Sequence, residues 1–179
     1  GEVREILGVL QLPAKYRIFM HEHDEYWTQL VKRLEAAQGY LGLGMAMDAW
    51  NELESIDARH RHLAEVLKVR AEVCRALEKW ELMAELCRFL ARGEPDDAGH
   101  ALNLAYAVRR HESVDAAAAI LADALGRFPA EALIPYNLAC YRAVAGKIGE
   151  AKDLLERAFG LDKSLRLLAI DDPDLEGVR

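Results

Sequence analysis

The chain is 179 residues long, 52% hydrophobic and 30% charged, which is enough apolar material for one domain or two small ones and enough charge for a soluble exterior. Its formal net charge of −7 weighs against a protein whose main task is neutralising nucleic-acid phosphates. No apolar run approaches the ~20 residues needed to span a bilayer and none reads as a signal peptide. Three cysteines without a C-x-x-C spacing read as reduced, packed thiols, so the expected setting is cytoplasmic.

In chain order, Val3, Ile6, Leu7 and Leu10 share one helical face, so Glu2–Leu10 reads as a short amphipathic helix before Pro13, placed to cap the open end of a helical stack. His21-Glu22-His23-Asp24-Glu25 puts two imidazoles and three carboxylates in five residues, a conceivable divalent-metal ligand set. Histidines two apart share a face only on a strand, however, and the spacing matches no zinc signature. The simpler expectation is a polar linker whose Asp24 caps a helix beginning near Trp27. Trp27–Tyr40 and Met45–Ile56 then read as two helices around a bend holding Gly42 and Gly44.

Leu63–Leu77 and Trp80–Arg92 make a second pair, closed by Gly93-Glu94-Pro95. In the third, His100–Arg110 carries Ala101, Leu102, Leu104, Ala105 and Val108 at helical spacing, and Ser113 caps the next helix. That helix holds Ala116, Ala117, Ile120, Leu121, Ala124 and Leu125 and stops at Phe128-Pro129. The fourth pair is Leu133–Ala145 and Gly149–Phe159, with Gly146 at the turn. Leu165–Ile170 adds one or two helical turns before Asp171-Asp172-Pro173-Asp174, a charged run expected to be solvated.

These pairs keep a register of 34 residues. Ala37, Ala71, Ala105 and Ala139 stand in step; so do Ala49, Met83, Ala117 and Ala151; Leu53, Cys87, Leu121 and Leu155; and Ile56, Leu90, Ala124 and Ala158. A period of this length marks stacked helix–turn–helix units, each leaving apolar surface that only its neighbour can cover. The expected architecture is an all-α solenoid of about four hairpins, at 27–60, 61–95, 96–129 and 130–162. An extension (1–26) and a C-terminal cap and tail (163–179) flank it. Arg70 breaks the pattern, standing where the third and fourth units have Leu104 and Leu138.

The columns resemble the tetratricopeptide repeat, whose units carry Leu and a small residue in the first helix, Gly at the bend, two Ala in the second helix and Pro after it. The third unit supplies Leu104, Ala105, Ala117, Ala124 and Pro129, and the fourth Leu138, Ala139, Gly146, Ala151 and Ala158. Tyr136-Asn137-Leu138-Ala139-Cys140-Tyr141 with Asp172-Pro173-Asp174-Leu175 is similar to the closing unit of many bacterial proteins of this kind. Departures are the missing tryptophan near each unit's start, and Glu78 and Glu112 in place of the bend glycine. The resemblance implies a right-handed solenoid that acts as a non-catalytic scaffold, an adaptor or chaperone-like protein with a protein or peptide partner. It implies no cofactor or metal.

Inward-facing positions carried over from the resemblance place Gln38, Lys68, Glu72, Arg75, Asn103, Tyr106, Arg109, Arg110, Tyr136, Asn137 and Cys140 on a concave groove. Asn103 and Asn137 fall in the column that in relatives often bonds a ligand's backbone. Lys68, Arg75, Arg109 and Arg110 make the wall basic on an acidic protein, suited to a peptide of acidic character. The plainer expectation is that the asparagines bond neighbouring turns and the cations are solvated. No nucleophile–base grouping or phosphate-binding loop stands out, so no enzyme activity is expected. Trp27, Trp50 and Trp80 read as packing residues. Two other functions would use other residues of the chain and leave the groove incidental: self-assembly through Glu2–Leu10 or an exposed end, and metal-responsive regulation through His21 and His23.

Overall fold

The computed structural model describes residues 24–178, and no strand occurs among them. The chain divides into two compact units between Leu77 and Glu78, a boundary inside the second expected hairpin.

The first unit holds α1 (Asp24–Gly42), α2 (Ala46–Glu54), a 3-10 turn (Ala58–His60) and α3 (Ala64–Ala76). Asp24 is the first residue of α1, so the helix opens earlier than the expected start near Trp27. Leu30, Leu34 and Ala37 from α1, Ala49 and Leu53 from α2, and Val66, Val69 and Val73 from α3 form one core, with Ile56 between α2 and the 3-10 turn. Trp27 and Trp50 pack against its edge, the role expected of them. Arg70 is tolerated on this buried face because its guanidinium finds two partners. Its guanidinium lies 5.2 Å over the Trp50 ring and donates to Glu54 Oε1 at 2.5 Å. Burying an arginine without such a partner would cost several kcal/mol, on the order of the penalty for an unpaired ion.

The second unit holds α4 (Trp80–Gly93), α5 (Ala98–His111), α6 (Val114–Arg127), α7 (Leu133–Val144), α8 (Ile148–Leu161), α9 (Leu165–Asp171) and a 3-10 segment (Pro173–Val178). From α4 to α8 each helix packs on the next, and the 3-10 segment packs on α7 and α8. Local chemistry sets the helix starts: Asp97 accepts from Gly99 N–H at 2.8 Å, and Ser113 Oγ from Ala116 N–H at 3.0 Å. Helix α6 ends at Arg127, just before Phe128-Pro129, because the residue ahead of a proline is driven out of helical geometry.

All sixteen residues of the four 34-residue columns are buried, none more than 8% exposed. The bends share the register too. Gly44 and Gly146 take φ values of 74° and 75°, and Glu78, one period after Gly44, takes φ 56°. A side chain there occupies the left-handed region that glycine adopts without penalty. Glu112, one period before Gly146, avoids it with φ −114°. Among the described residues no helix is long and apolar enough to cross a membrane.

Candidate functional site

Helices α5 and α7 differ from their neighbours in charge. Neither contains an acidic residue, whereas α5 ends on Arg109-Arg110-His111 and α7 carries Arg142. Helices α6 and α8 hold Asp115, Asp123, Glu150, Asp153 and Glu156. Arg142 pairs with Glu150 of α8 at 3.1 Å, whereas the acids that meet Arg109 and Tyr136 come from the 171–174 run. Both guanidinium terminal nitrogens of Arg109 donate to the Asp174 carboxylate, Nη2 to Oδ1 at 2.8 Å and Nη1 to Oδ2. Tyr136 Oη donates to Asp172 Oδ2 at 2.8 Å, and the Cys140 thiol points at the same oxygen from 3.5 Å. Asp172 Oδ1 accepts from the backbone N–H of Asp174 at 3.0 Å, which ties the turn together. Leu175 enters the core at 2% exposure.

This geometry shifts the ionisable groups. The hydrogen bonds to Asp174 hold Arg109 in its charged form more firmly than usual, against the cost of burial. Burial pushes the Tyr136 phenol far up, and donating to Asp172 pushes it further. Burial likewise raises the Cys140 thiol, reinforced by the negative charge of Asp172. A thiol so strongly protonated is neither a nucleophile nor a ready metal ligand. Cys140, Asp172 and Asp174 do bring ligand atoms within 4.8 Å of one another. All four carboxylate oxygens are nevertheless engaged by Arg109, Tyr136, Cys140 and a backbone N–H, so the cluster works as a clasp.

Arg110 stands in contrast. Its side chain folds back so that the guanidinium lies 3.5 Å from the Tyr106 ring centroid and 5.1 Å from that of Trp80, and Nη1 donates to Tyr106 O at 3.2 Å. Trp80 meets Tyr106 edge-on with centroids 5.8 Å apart. Arg110 is exposed and pairs with no carboxylate among the described residues. Asn103, exposed, lies one turn before Tyr106 and two turns before Arg110 on the same face of α5, since residues three and four apart are neighbours on a helix.

The expected groove residues therefore fall into three groups. Arg109, Tyr136 and Cys140 gather around the Asp172–Leu175 segment, and Asn137 bonds its own helix through Leu133 O at 2.8 Å, the plainer of the two roles expected for it. Tyr106, Arg110 and Asn103 share the open part of α5. Gln38 on α1, with Lys68, Glu72 and Arg75 on one face of α3, belong to the first unit; Gln38, Glu72 and Arg75 are exposed and Lys68 half-buried. The charged run at 171–174 departs from its expected solvation, because Asp172 and Asp174 are half-buried and bonded. Sequence reasoning also overlooked Trp80 as the wall behind Arg110. The available signal was acid-free helices carrying arginines, with an Asp-Pro-Asp-Leu further along the chain able to answer them.

A second mixed cluster sits where α5 begins. Buried His100 has Nε2 2.7 Å from Glu94 Oε2 and 3.5 Å from Asp97 Oδ2, the three ligand atoms lying within 4.8 Å of one another. Asp97 is already the cap of α5, and a cation there would face the positive end of that helix. His21, His23 and Glu2–Leu10 lie outside the described residues. Cys74, Cys87 and Cys140 are buried, and no disulfide forms among the described residues. No family model matches the chain, and no curated protein is significantly similar to it.

Proposed function

We propose that this protein is a non-catalytic interaction scaffold, an α-solenoid of tetratricopeptide-like hairpins, which holds an acidic segment of a protein partner against the first helices of its units. The observation that carries the reading is the chain's own Asp172–Leu175 segment lying on α5 and α7. Two carboxylates answer an arginine and a buried phenol there, on helices with no acidic residue of their own. The buried 34-residue columns and recurring left-handed bends support the solenoid. Opposite charge across such a face favours the right partner and repels others. The reading places the chain in the cytoplasm, with no cofactor and no nucleic acid.

A random-peptide display selection tests it. Recovered sequences are expected to be enriched in Asp and Glu, and their binding to weaken as salt rises. Recovery without acidic enrichment would refute the reading. One observation favours a second function, self-assembly: Leu167, Leu168 and Ile170 of α9 are 72%, 54% and 59% exposed. Large apolar side chains exposed together on one short helix are what an interface would cover. Sedimentation of the protein as a monomer at high concentration would remove that alternative.

A further inference from the structure

Three short runs at the end of the second unit each put side chains on one side of their element, and those sides turn toward a common hollow. Leu155 and Phe159 are four apart on α8, and Arg166, Ala169 and Ile170 are spaced i, i+3 and i+4 on α9. Leu175 and Val178 are three apart in the 3-10 segment, where that spacing stacks one side chain over the other. Together they line a cavity of about 460 Å³. Leu155 and Leu175 are its buried part, 8% and 2% exposed, while Ile170, 59% exposed, stands where it meets solvent. The one charged group in the lining is Arg166. Its guanidinium carbon lies 4.9 Å from the centroid of the Phe159 ring, and it pairs with no carboxylate among the described residues. Asp171, five positions on, falls off the face that Arg166, Ala169 and Ile170 share.

We infer that this cavity is a binding site for a small amphiphile, a straight-chain monocarboxylate whose tail lies against Leu155, Ala169 and Leu175 and whose head is taken by Arg166. The volume falls within the ~300–1,000 Å³ of small-molecule sites, which are mostly apolar with a few placed polar groups. The walls select the tail. Five lining residues are aliphatic, and the single ring, Phe159, already carries the guanidinium, so an alkyl chain finds more to pack on than an aromatic body does. The charge selects the head. One planar guanidinium matches one carboxylate through two parallel hydrogen bonds, and its stem covers apolar wall while the charge stays in water.

A second copy of the chain would use another part of α9. Leu167 and Leu168, its most exposed leucines together with Ile170, do not line the cavity, so a helix pair formed through them would leave the hollow unfilled. The site also goes beyond the scaffold reading. It uses no side chain of α5 or α7 and would stand if no peptide bound there.

The test is isothermal titration calorimetry on the whole chain with decanoate, hexanoate, decanol and decyltrimethylammonium. Decanoate is expected to bind saturably, one per chain. Hexanoate should bind about 10- to 100-fold more weakly, since it lacks four methylenes that the walls would bury in part. Decyltrimethylammonium, with the wrong sign of charge, should not saturate. Arg166→Gln should weaken decanoate by about 5- to 10-fold, as for an ion pair at a solvent-exposed edge, and leave decanol within twofold. Ile170→Glu, at an exposed position, and Ala169→Leu, which fills the hollow, should each abolish decanoate binding. Leu167→Glu, 72% exposed and outside the lining, should leave it within twofold. No saturable decanoate binding below about 1 mM would overturn the site. Equal losses in Leu167→Glu and Ile170→Glu would overturn it too, showing that the exposed ridge and not the cavity takes the chain. Decanoate affinity unchanged in Arg166→Gln would overturn the assignment of the head. A dimer in sedimentation that Ile170→Glu dissolves and decanoate does not would give this face to a second copy instead.

Discussion

Whether the end of the chain is a built part of the second unit can be read from a double-mutant cycle on Arg109 and Asp174. Their side chains are 25% and 21% exposed, so the pair is shielded well enough for its hydrogen bonds to contribute measurably. Hydrogen bonds to charged groups contribute about 1.5–3 kcal/mol, against about 0–1 kcal/mol for an exposed ion pair. Arg109 also lies 5.1 Å over the Tyr141 ring, a contact that adds about 0.5–2 kcal/mol. Arg109→Ala should therefore destabilise the unit by about 2–4 kcal/mol and Asp174→Ala by about 2 kcal/mol. Their coupling should be about 1.5–2 kcal/mol, because each truncation removes the same two bonds. Urea unfolding should be tracked through Trp80, the only tryptophan of the second unit, with Trp27 and Trp50 of the first replaced by phenylalanine. With a urea slope of about 1–3 kcal/mol per molar, each single variant should move the midpoint by about 1 M. A coupling energy under about 0.5 kcal/mol would mean that Asp174 is a solvated tail residue and the clasp does not exist.

The same geometry sets four further outcomes. Leu175→Ala should cost about 2–4 kcal/mol in the same urea assay, since the side chain is fully enclosed and its removal leaves a cavity. Glu78→Gly should raise stability by about 0.5–1 kcal/mol, relieving a side chain from φ 56° by more than the glycine costs in unfolded-state entropy; a drop in melting temperature would contradict this. Cys140 should resist a thiol reagent at neutral pH and react faster in Leu175→Ala, with the labelled peptide identified by mass spectrometry; equal rates in both proteins would show that the segment does not cover the thiol. The Arg70 hydrogen bond holds the Glu54 carboxyl below its ordinary 4.5, and the charges of Arg70 and Arg61 add to this. Its stabilising contribution is present above that pH and is lost as pH falls through the lowered folded value. Glu54→Gln should therefore flatten the acid limb of a stability–pH curve measured on the first unit, and an unchanged acid limb would count against the contact.

What the amino-acid order determined by itself was the repeating burial. Ala105 or Leu121 is buried because helical periodicity brings it to one face of its helix, and that information lies within a few turns of chain. The bends at 44, 78 and 146 and the Ser113 cap are local in the same sense, depending on one residue's φ or on a side chain three positions from the group it bonds. The candidate site was legible only as composition: arginines, tyrosines and asparagines on particular helices. Which of those arginines is occupied was decided by tertiary structure, because Arg109 and Asp174 are 65 residues apart and Tyr136 and Asp172 are 36 apart. No local period encodes such a pairing. It forms when α7 and α8 are in place to receive Leu175, and burial then makes an exposed-looking run of aspartates the natural partner of a cation and a phenol.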